Sequence, residues 1–151
     1  MKNEMTLTFL AISENEAFAR NAVAAFCVSL DPTIDQINDI KTAVSEAVTN
    51  AVVHAYPNSD RDNYVTVHTS IDDTSVHIVV SDTGIGIDDI ERAVQPFYTG
   101  KPEQERSGMG FTVMESFTDK LTVEKNEPSG TVVSMTKTIR GADWKEKKPC
   151  N

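Results

Sequence analysis

The sequence predicts an α+β fold, in which a mixed, mostly antiparallel sheet carries helices on one face. Two observations support this expectation. Five segments alternate apolar and polar residues with the period of a half-buried strand, and three segments repeat apolar residues with the spacing of a helix. Their order is strand, two helices, two strands, a polar loop, a helix and two strands, which is typical of α+β domains.

The N-terminal segment is predicted to hold one strand and one helix. Residues 5–12 alternate polar and apolar side chains, which predicts a half-buried strand. Ser13 and Glu16 have the spacing of a capping box, and they predict a helix over 13–30 that ends before Pro32. The side chains expected on or near its inner face are Phe18, Ala22, Ala25, Phe26 and Ser29.

A long helix is predicted over 33–56, and it carries two stripes. The apolar stripe has the spacing of a buried face and consists of Ile37, Ile40, Val44, Ala47, Val48, Ala51 and Val52. The second stripe consists of Glu46, Asn50 and His54, which project the same way because each lies four residues from the last. By itself this polar stripe fits either a solvated helix face or a set of functional side chains.

The rest of the chain is predicted to complete the sheet. The expected strands are 63–70, 75–81, 120–125 and 131–139, and the first two form a hairpin that turns at Asp72-Asp73. Strand 75–81 is expected to be central because it is strongly apolar. A short helix is predicted within 87–98 and another over 111–117. Between them, residues 99–110 are polar and glycine-rich, which favours a functional loop or lid.

Composition places the chain among single-domain globular proteins. Its 151 residues are enough for one core, predicted over 1–140, with a polar tail over 141–151. The net charge of −9 argues against direct binding of nucleic acid or anionic membranes, and no apolar run approaches the roughly 20 residues of a membrane span. The N-terminus does not have the pattern of a secretory signal. Cys27 and Cys150 have no metal-site spacing, so both are expected to be free thiols in a reducing cytoplasm.

Two glycine-rich segments predict a site for a phosphate chain. Gly84 and Gly86 follow a predicted strand, whereas Gly108 and Gly110 lead into a predicted helix. Glycine lets the backbone approach a ligand closely. A glycine loop at a helix N-terminus offers free N–H groups and the positive end of the helix dipole to an anion.

Charged and polar side chains near these glycines extend the expectation to a nucleotide. Lys101 and Arg106 add cationic donors to the second glycine segment. Asp82, at the end of an apolar strand, could accept a hydrogen bond from an exocyclic amine such as that of adenine. Asn50 can give its side-chain oxygen to Mg²⁺, and Glu46, one turn earlier, can act as a general base beside it.

Each motif is weak alone, but their order resembles one nucleotide-binding fold. The helix with Glu46 and Asn50 is similar to the asparagine box of the fold shared by gyrase, histidine kinases and MutL, the GHKL or Bergerat ATP-binding sandwich. The segment 82–86, DTGIG, resembles its first glycine box and SGMG at 107–110 its second, while Gly130-Thr131 resembles its closing pair. The whole chain resembles the small anti-sigma factor serine kinases of Bacillus-type bacteria, as shown by SENEAFAR, IKTAVSEAVTNAVVHAY and KPEQERSGMGF.

That resemblance implies a role for each matching residue. Asp82 would bind the adenine amino group of ATP or ADP, with Thr131 in the same network. Asn50 would hold Mg²⁺, and Glu46 would be the catalytic base that takes the proton from a serine hydroxyl. The remaining nucleotide-binding residues would be Gly84, Gly86, Gly108 and Gly110, the lid residues Thr99, Lys101, Ser107 and Met109, and His54 on the phosphate side.

One position departs from the usual pattern of the fold. The second glycine box is often G-x-G-x-G, but its first position here is Arg106. An arginine beside the γ-phosphate would stabilise the charge that spreads onto the phosphoryl oxygens during transfer. Arg106 is therefore predicted to be a catalytic arginine finger, and a solvated lid arginine is the alternative.

The resemblance also implies partners. A family member would bind a sporulation sigma factor and hold it from RNA polymerase, and it would phosphorylate a serine of an anti-anti-sigma protein. The nucleotide state would choose between the two, and the active form would be a homodimer. A partner surface on the first helix, including Glu16 and Arg20, is a hypothesis; Arg20 equally fits a solvated side chain.

Other interpretations of the same motifs are weaker. Asp82-Thr83-Gly84 is the tripeptide of aspartic proteases, but those enzymes are all-β and leave the polar helix stripe without a role. The ATP-binding half of a histidine kinase would need a phosphoacceptor histidine on a helical hairpin, which the chain lacks. A non-catalytic ATP-binding anti-sigma module and a stress-response anti-sigma kinase remain open alternatives, and Glu46 argues against the first. The Walker, HRD and DFG motifs do not occur.

Overall fold

The computed structural model describes residues 2–57, 62–95 and 110–139. These residues form five strands, four α-helices and one 3₁₀ turn. In chain order they are β1 (Lys2–Leu10), α1 (Glu14–Cys27), the 3₁₀ turn (Val28–Leu30), α2 (Ile34–His54), β2 (Tyr64–Asp72), β3 (Ser75–Asp82), α3 (Ile90–Ala93), α4 (Gly110–Phe117), β4 (Lys120–Lys125) and β5 (Thr131–Thr138). The predicted order of elements is confirmed.

The strands form one sheet in the order β1-β2-β3-β5-β4, so β3 is central, as predicted. All four strand pairings in the described part of the chain are antiparallel. The expectation of a mixed sheet is therefore wrong for these residues, whereas the expectation of an antiparallel one is confirmed. In the β2–β3 hairpin, Asp72 pairs with Ser75 across Asp73-Thr74, so the turn lies one residue later than predicted, with Asp73 at φ 50°.

The core lies between α2 and one face of the sheet. Alternate residues of β2 and β3 are buried, among them Val65, Val67 and Ile78, because successive strand side chains point to opposite faces. The other face carries polar pairs between neighbouring strands, such as the hydrogen bond of 2.9 Å between Thr6 and His68. Helices on one face of the sheet thus agree with the prediction.

Helix α2 begins with a capping box that the sequence analysis did not identify. The Thr33 hydroxyl accepts a hydrogen bond from the N–H of Gln36, and the Gln36 side chain accepts one from the N–H of Thr33. The capping box expected at Ser13 is wrong. Ser13 is itself in a helical conformation and makes no side-chain cap hydrogen bond. Glu16 instead contacts Arg20 and Ser45, which engages the carboxylate elsewhere.

The buried face of α1 is rotated from the one expected. Its buried residues are Ala19, Val23, Ala24 and Cys27, whereas Phe18 is 57% exposed. Alanines on this face let α1 pack closely against α2, and Phe18 points away from that contact. Burial raises the pKa of the Cys27 thiol to about 12. Among the residues described, no helix has the length and apolar character needed to cross a membrane.

Candidate functional site

Helix α2 presents Glu46, Asn50 and His54 beside its buried face, and all three are half-buried. Gly110, the first residue of α4, lies directly against this stripe. A Cβ atom added at Gly110 would be 3.1 Å from Asn50 Nδ2 and 3.4 Å from Glu46 Oε2. The first residue of α4 therefore lies against the carboxylate and carboxamide of α2. This places the partially positive end of a helix next to two oxygen-bearing side chains.

Asp82 is the last residue of β3 and is only 7% exposed. Its Oδ1 atom accepts hydrogen bonds from the N–H of Gly84 at 3.0 Å and from the N–H of Thr131 at 3.2 Å. Its Oδ2 atom accepts none from any residue that the structure describes. Burial raises the pKa of the Asp82 carboxyl, and the two backbone donors offset this only in part. Among the described residues, the Oδ2 side of this buried carboxylate is therefore the one to which a ligand could donate a hydrogen bond.

Two glycines allow the backbone to pass close to Asp82. A Cβ atom at Gly84 would lie 2.0 Å from the carbonyl oxygen of Ala55, at the C-terminal end of α2. Gly130 has φ +107°, and a Cβ atom there would lie 2.1 Å from the carbonyl oxygen of Asp82. Gly86 faces the Gly130 carbonyl. The first glycine box is therefore packed between the end of α2 and the β4–β5 turn.

The β4–β5 turn contributes two residues that the sequence analysis did not single out. Asn126 donates its side-chain N–H to the carbonyl oxygen of Asp82 at 2.8 Å, and Ser129 donates its hydroxyl to the carbonyl oxygen of Thr83 at 3.2 Å. Both lie more than 40 residues from their acceptors in the chain. The only signal for their role was their position just before the closing Gly130-Thr131 pair.

Tyr56 was also missed, although it lies two residues beyond the end of α2. Its hydroxyl donates to the carbonyl oxygen of Tyr64 at 2.7 Å and accepts a hydrogen bond from the N–H of Thr83 at 2.9 Å. One side chain therefore joins the end of α2, the start of β2 and the residue after Asp82.

The first helix is tied to α2 next to Glu46. Both Glu16 carboxylate oxygens contact Arg20, at 2.8 and 2.6 Å, and one of them also accepts a hydrogen bond from the hydroxyl of Ser45. The Arg20 side chain is 35% exposed and paired, so it is not a fully solvated arginine.

Apart from Gly110, the second glycine box and the lid lie outside the described residues. Of the predicted site residues, those outside the described residues are Thr99, Lys101, Arg106, Ser107, Gly108 and Met109. Their roles stay predictions.

The donor set fits a nucleotide with a hard metal ion. Asp82 offers a carboxylate oxygen of the kind that an amino group of a base requires, and Asn50 offers a carboxamide oxygen of the kind that Mg²⁺ takes together with phosphate oxygens. Within the described ranges no group of three or more His, Cys, Asp or Glu side chains could hold a metal by itself.

Comparisons with known proteins identify the same fold. Residues 11–137 match the family described as the histidine kinase-like ATPase domain. Among solved structures, the RsbU and RsbW domains of a Mycobacterium tuberculosis protein superpose with a TM-score of 0.65 at 18% identity, covering 91% of this chain and 32% of that one. The catalytic domain of the histidine kinase ThkA superposes with a TM-score of 0.57 at 17% identity, covering 89% of this chain and 96% of that one. At such identities the likeness shows the fold alone.

Sequence relatives are more specific. The chain is 54% identical over 151 residues to the anti-sigma F factor of Geobacillus kaustophilus, with all of both chains covered. It is 56% identical over 135 residues to the anti-sigma F factor of Clostridium beijerinckii, covering 89% of this chain and 94% of the relative. The chain therefore belongs to the anti-sigma F factor family and is built on a histidine kinase-like ATPase domain.

Proposed function

We propose that this anti-sigma factor is an ATP-dependent serine kinase. It would hold a sporulation sigma factor away from RNA polymerase and phosphorylate a serine of the anti-anti-sigma protein that opposes it. The observation that carries the proposal is the meeting of Glu46 and Asn50 with Gly110 at the start of α4. A carboxylate, a carboxamide and the first residue of a helix lie together there, and they would supply a base, a metal ligand and a phosphate-binding helix end for phosphoryl transfer to a hydroxyl.

Each residue would have one task in the reaction. Asp82 accepts a hydrogen bond from the adenine amino group, with Thr131 holding its other oxygen, and Asn50 holds Mg²⁺. Glu46 takes the proton from the serine hydroxyl as that oxygen bonds to the γ-phosphorus and the bond to ADP breaks. Arg106 stabilises the charge on the transferring group. Bound ATP and Mg²⁺ supply the phosphoryl group and neutralise its charge.

The remaining ligand contacts follow the family resemblance. The pocket would be lined by His54, Gly84, Gly86, Thr99, Lys101, Ser107, Gly108, Met109 and Gly110. The domain would extend over 1–140 with a polar tail over 141–151, and it would act as a homodimer in the cytoplasm.

The first helix, including Glu16 and Arg20, is the candidate partner surface, and the Arg20 side chain is 35% exposed there. The name of the relatives, anti-sigma F factor, supports a sigma factor as one partner. Nucleotide state would select between the sigma factor and its antagonist. Alanine at Arg20 is expected to weaken binding of at least one partner; unchanged affinity for both, measured by calorimetry, would remove this surface.

The decisive experiment follows phosphoryl transfer from γ-labelled ATP with Mg²⁺ to the anti-anti-sigma protein. Glu46→Gln keeps the size of the side chain and removes the base, so transfer is expected to fall by about 100-fold or more while ATP still binds. Glu115→Gln, at an exposed position of α4, is the matched control and is expected to transfer at the wild-type rate. If wild type and Glu46→Gln both bind ATP and neither transfers phosphate, the protein is instead a sigma-binding module switched by nucleotide.

A further inference from the structure

The peptide group between Asp82 and Thr83 is held at both of its polar atoms. Its carbonyl oxygen accepts the side-chain N–H of Asn126 at 2.8 Å, and its N–H donates to the hydroxyl oxygen of Tyr56 at 2.9 Å. This peptide group is bonded directly to the Cα atom of Asp82. The two contacts therefore fix the direction in which the Asp82 side chain leaves the backbone.

The Tyr56 hydroxyl is itself held in one orientation. It donates its proton to the carbonyl oxygen of Tyr64 at 2.7 Å, so a lone pair of the same oxygen remains for the N–H of Thr83. A phenylalanine at this position would keep the ring and lose these two hydrogen bonds, together with the 3.4 Å contact between the Tyr56 hydroxyl and Thr83 Oγ1.

A second contact ties the same loop to α2. The N–H of Ile85 donates to the carbonyl oxygen of Ala55 at 2.8 Å. The loop after β3 is thus attached to two consecutive residues, Ala55 and Tyr56, at the end of the helix that carries Glu46 and Asn50. The Ala55 contact uses backbone atoms only, so Tyr56 is the side chain through which sequence controls this attachment.

We propose that Tyr56 is a positioning residue for base recognition: it aims Oδ2 of Asp82, which accepts no hydrogen bond from a described residue, at the amino group of adenine and fixes its place relative to the Glu46 helix. This inference rests on the proposed nucleotide function. It deepens that function by naming what sets the preference for an adenine base. Tyr56 is assigned no contact with the reacting atoms.

The test compares two nucleotides that differ at the recognised group. Inosine triphosphate carries a carbonyl oxygen where ATP carries the amino group, so a correctly aimed carboxylate favours ATP and repels inosine triphosphate. Tyr56→Phe is expected to weaken ATP binding by about three- to tenfold. Its effect on inosine triphosphate is expected to be smaller, so the ratio of the two dissociation constants moves toward one. General loss of structure would weaken both nucleotides alike.

Tyr64→Phe is the matched control. The Tyr64 side chain is 51% exposed, its hydroxyl has no hydrogen bond to a described residue, and the substitution leaves its carbonyl in place. This variant is expected to keep the wild-type ratio. Hydrogen exchange in the nucleotide-free protein gives a second measurement. In Tyr56→Phe the Thr83 amide is expected to exchange faster, while the amide of Val80 in the central strand keeps its rate.

The possible outcomes distinguish a failure of this inference from a failure of the proposed function. A wild-type ratio in Tyr56→Phe, or an unchanged rate at the Thr83 amide, would overturn the role of Tyr56 and leave the kinase proposal standing. An equal change of the ratio in Tyr64→Phe would also overturn it. If the wild-type protein does not bind ATP, the proposed function fails and this inference fails with it.

Discussion

Asp82 is a buried carboxylate whose two oxygens differ in their partners. Oδ1 accepts hydrogen bonds from two backbone donors, at Gly84 and Thr131, and Oδ2, which accepts none from a described residue, is the oxygen proposed to bind the ligand. Burial raises the pKa of this carboxyl, so the ionised form that a base amine requires is held in the folded protein at some loss of stability. Recognition and stability therefore oppose each other at one residue.

Asp82→Asn separates the two effects. The Asn oxygen can still accept both backbone hydrogen bonds, but its NH₂ group would meet the amino group of adenine. ATP affinity is expected to fall at least about tenfold. The nucleotide-free variant is expected to be as stable as wild type or more stable at neutral pH, because the buried charge is gone. Calorimetric titration and urea unfolding measure the two quantities.

The difference in stability between Asp82→Asn and the wild-type protein is expected to depend on pH. Because the folded-state pKa of Asp82 is raised, its contribution to stability is complete below the unfolded value of about 3.9 and is lost as pH rises through the folded value. The advantage of Asp82→Asn is thus expected to vanish near about pH 3 and to grow above about pH 4. An advantage that stays constant across this range would contradict the assigned burial effect.

Thr69 offers a simpler test of burial. It is fully buried on β2, and its hydroxyl has no hydrogen-bond partner among the described residues. Thr69→Val keeps the shape and removes the unsatisfied group, so the free energy of unfolding is expected to rise by about 1 kcal/mol. Thr66→Val is the control, because it makes the same substitution at a threonine whose hydroxyl does have a partner. The Thr66 hydroxyl is hydrogen-bonded to that of Thr8 at 3.2 Å on the face of the sheet opposite the core. A loss of stability in Thr69→Val, measured by urea unfolding, would refute the expectation.

At the scale of elements, glycines set how closely α2 approaches its neighbours. Gly84 lies against the backbone at the end of α2, whereas Gly110 lies against the side-chain ends of Glu46 and Asn50. Backbone cannot yield without moving the helix, while side-chain ends can rotate. Substitution by alanine is therefore expected to affect stability differently at Gly84 and at Gly110.

Gly84→Ala is expected to lower the free energy of unfolding by about 1–3 kcal/mol, because its Cβ would overlap the Ala55 carbonyl. Gly110→Ala is expected to change stability by less than about 1 kcal/mol, since alanine favours a helix. It should nevertheless reduce phosphoryl transfer, because the added methyl group displaces the Asn50 and Glu46 side chains. Thermal unfolding measures the stability of both variants, and the labelled-ATP assay measures their phosphoryl transfer. Equal loss of stability in both variants would contradict this assignment.

These elements also show how far sequence reasoning reaches. Periodicity predicted β3 and β5 to within one residue, because alternate burial follows directly from the pleat of a strand. Capping-box spacing at Ser13 and helical periodicity at Phe18 gave wrong predictions, because contacts between α1 and α2 decide the outcome there. Tyr56 and Asn126 were missed because their hydrogen-bond partners are distant in the chain, so that packing rather than local pattern determines them.

At the scale of the molecule, the candidate site is where separate parts of the chain are joined. The end of α2, the loop after β3 and the β4–β5 turn meet around the Asp82–Thr83 peptide. Helix α4 meets α2 about one and a half to two and a half turns before this end, at Asn50 and Glu46. A ligand that spans Asp82 and Asn50 would therefore add contacts between elements that already share the hydrophobic core, and its binding should stabilise the whole domain.

This connection predicts a measurable linkage. With Mg²⁺ and ATP at about 100 times the dissociation constant, the free energy of unfolding is expected to rise by about 2.7 kcal/mol, which corresponds to about 5–10 °C in Tm. Glu46→Gln should keep this shift, because the base acts on the serine rather than on the nucleotide. Asp82→Asn should lose most of it at the same ATP concentration. A full shift in Asp82→Asn would mean that adenine is held by other residues. A residue that recognises the ligand must contribute to the stability that the ligand confers.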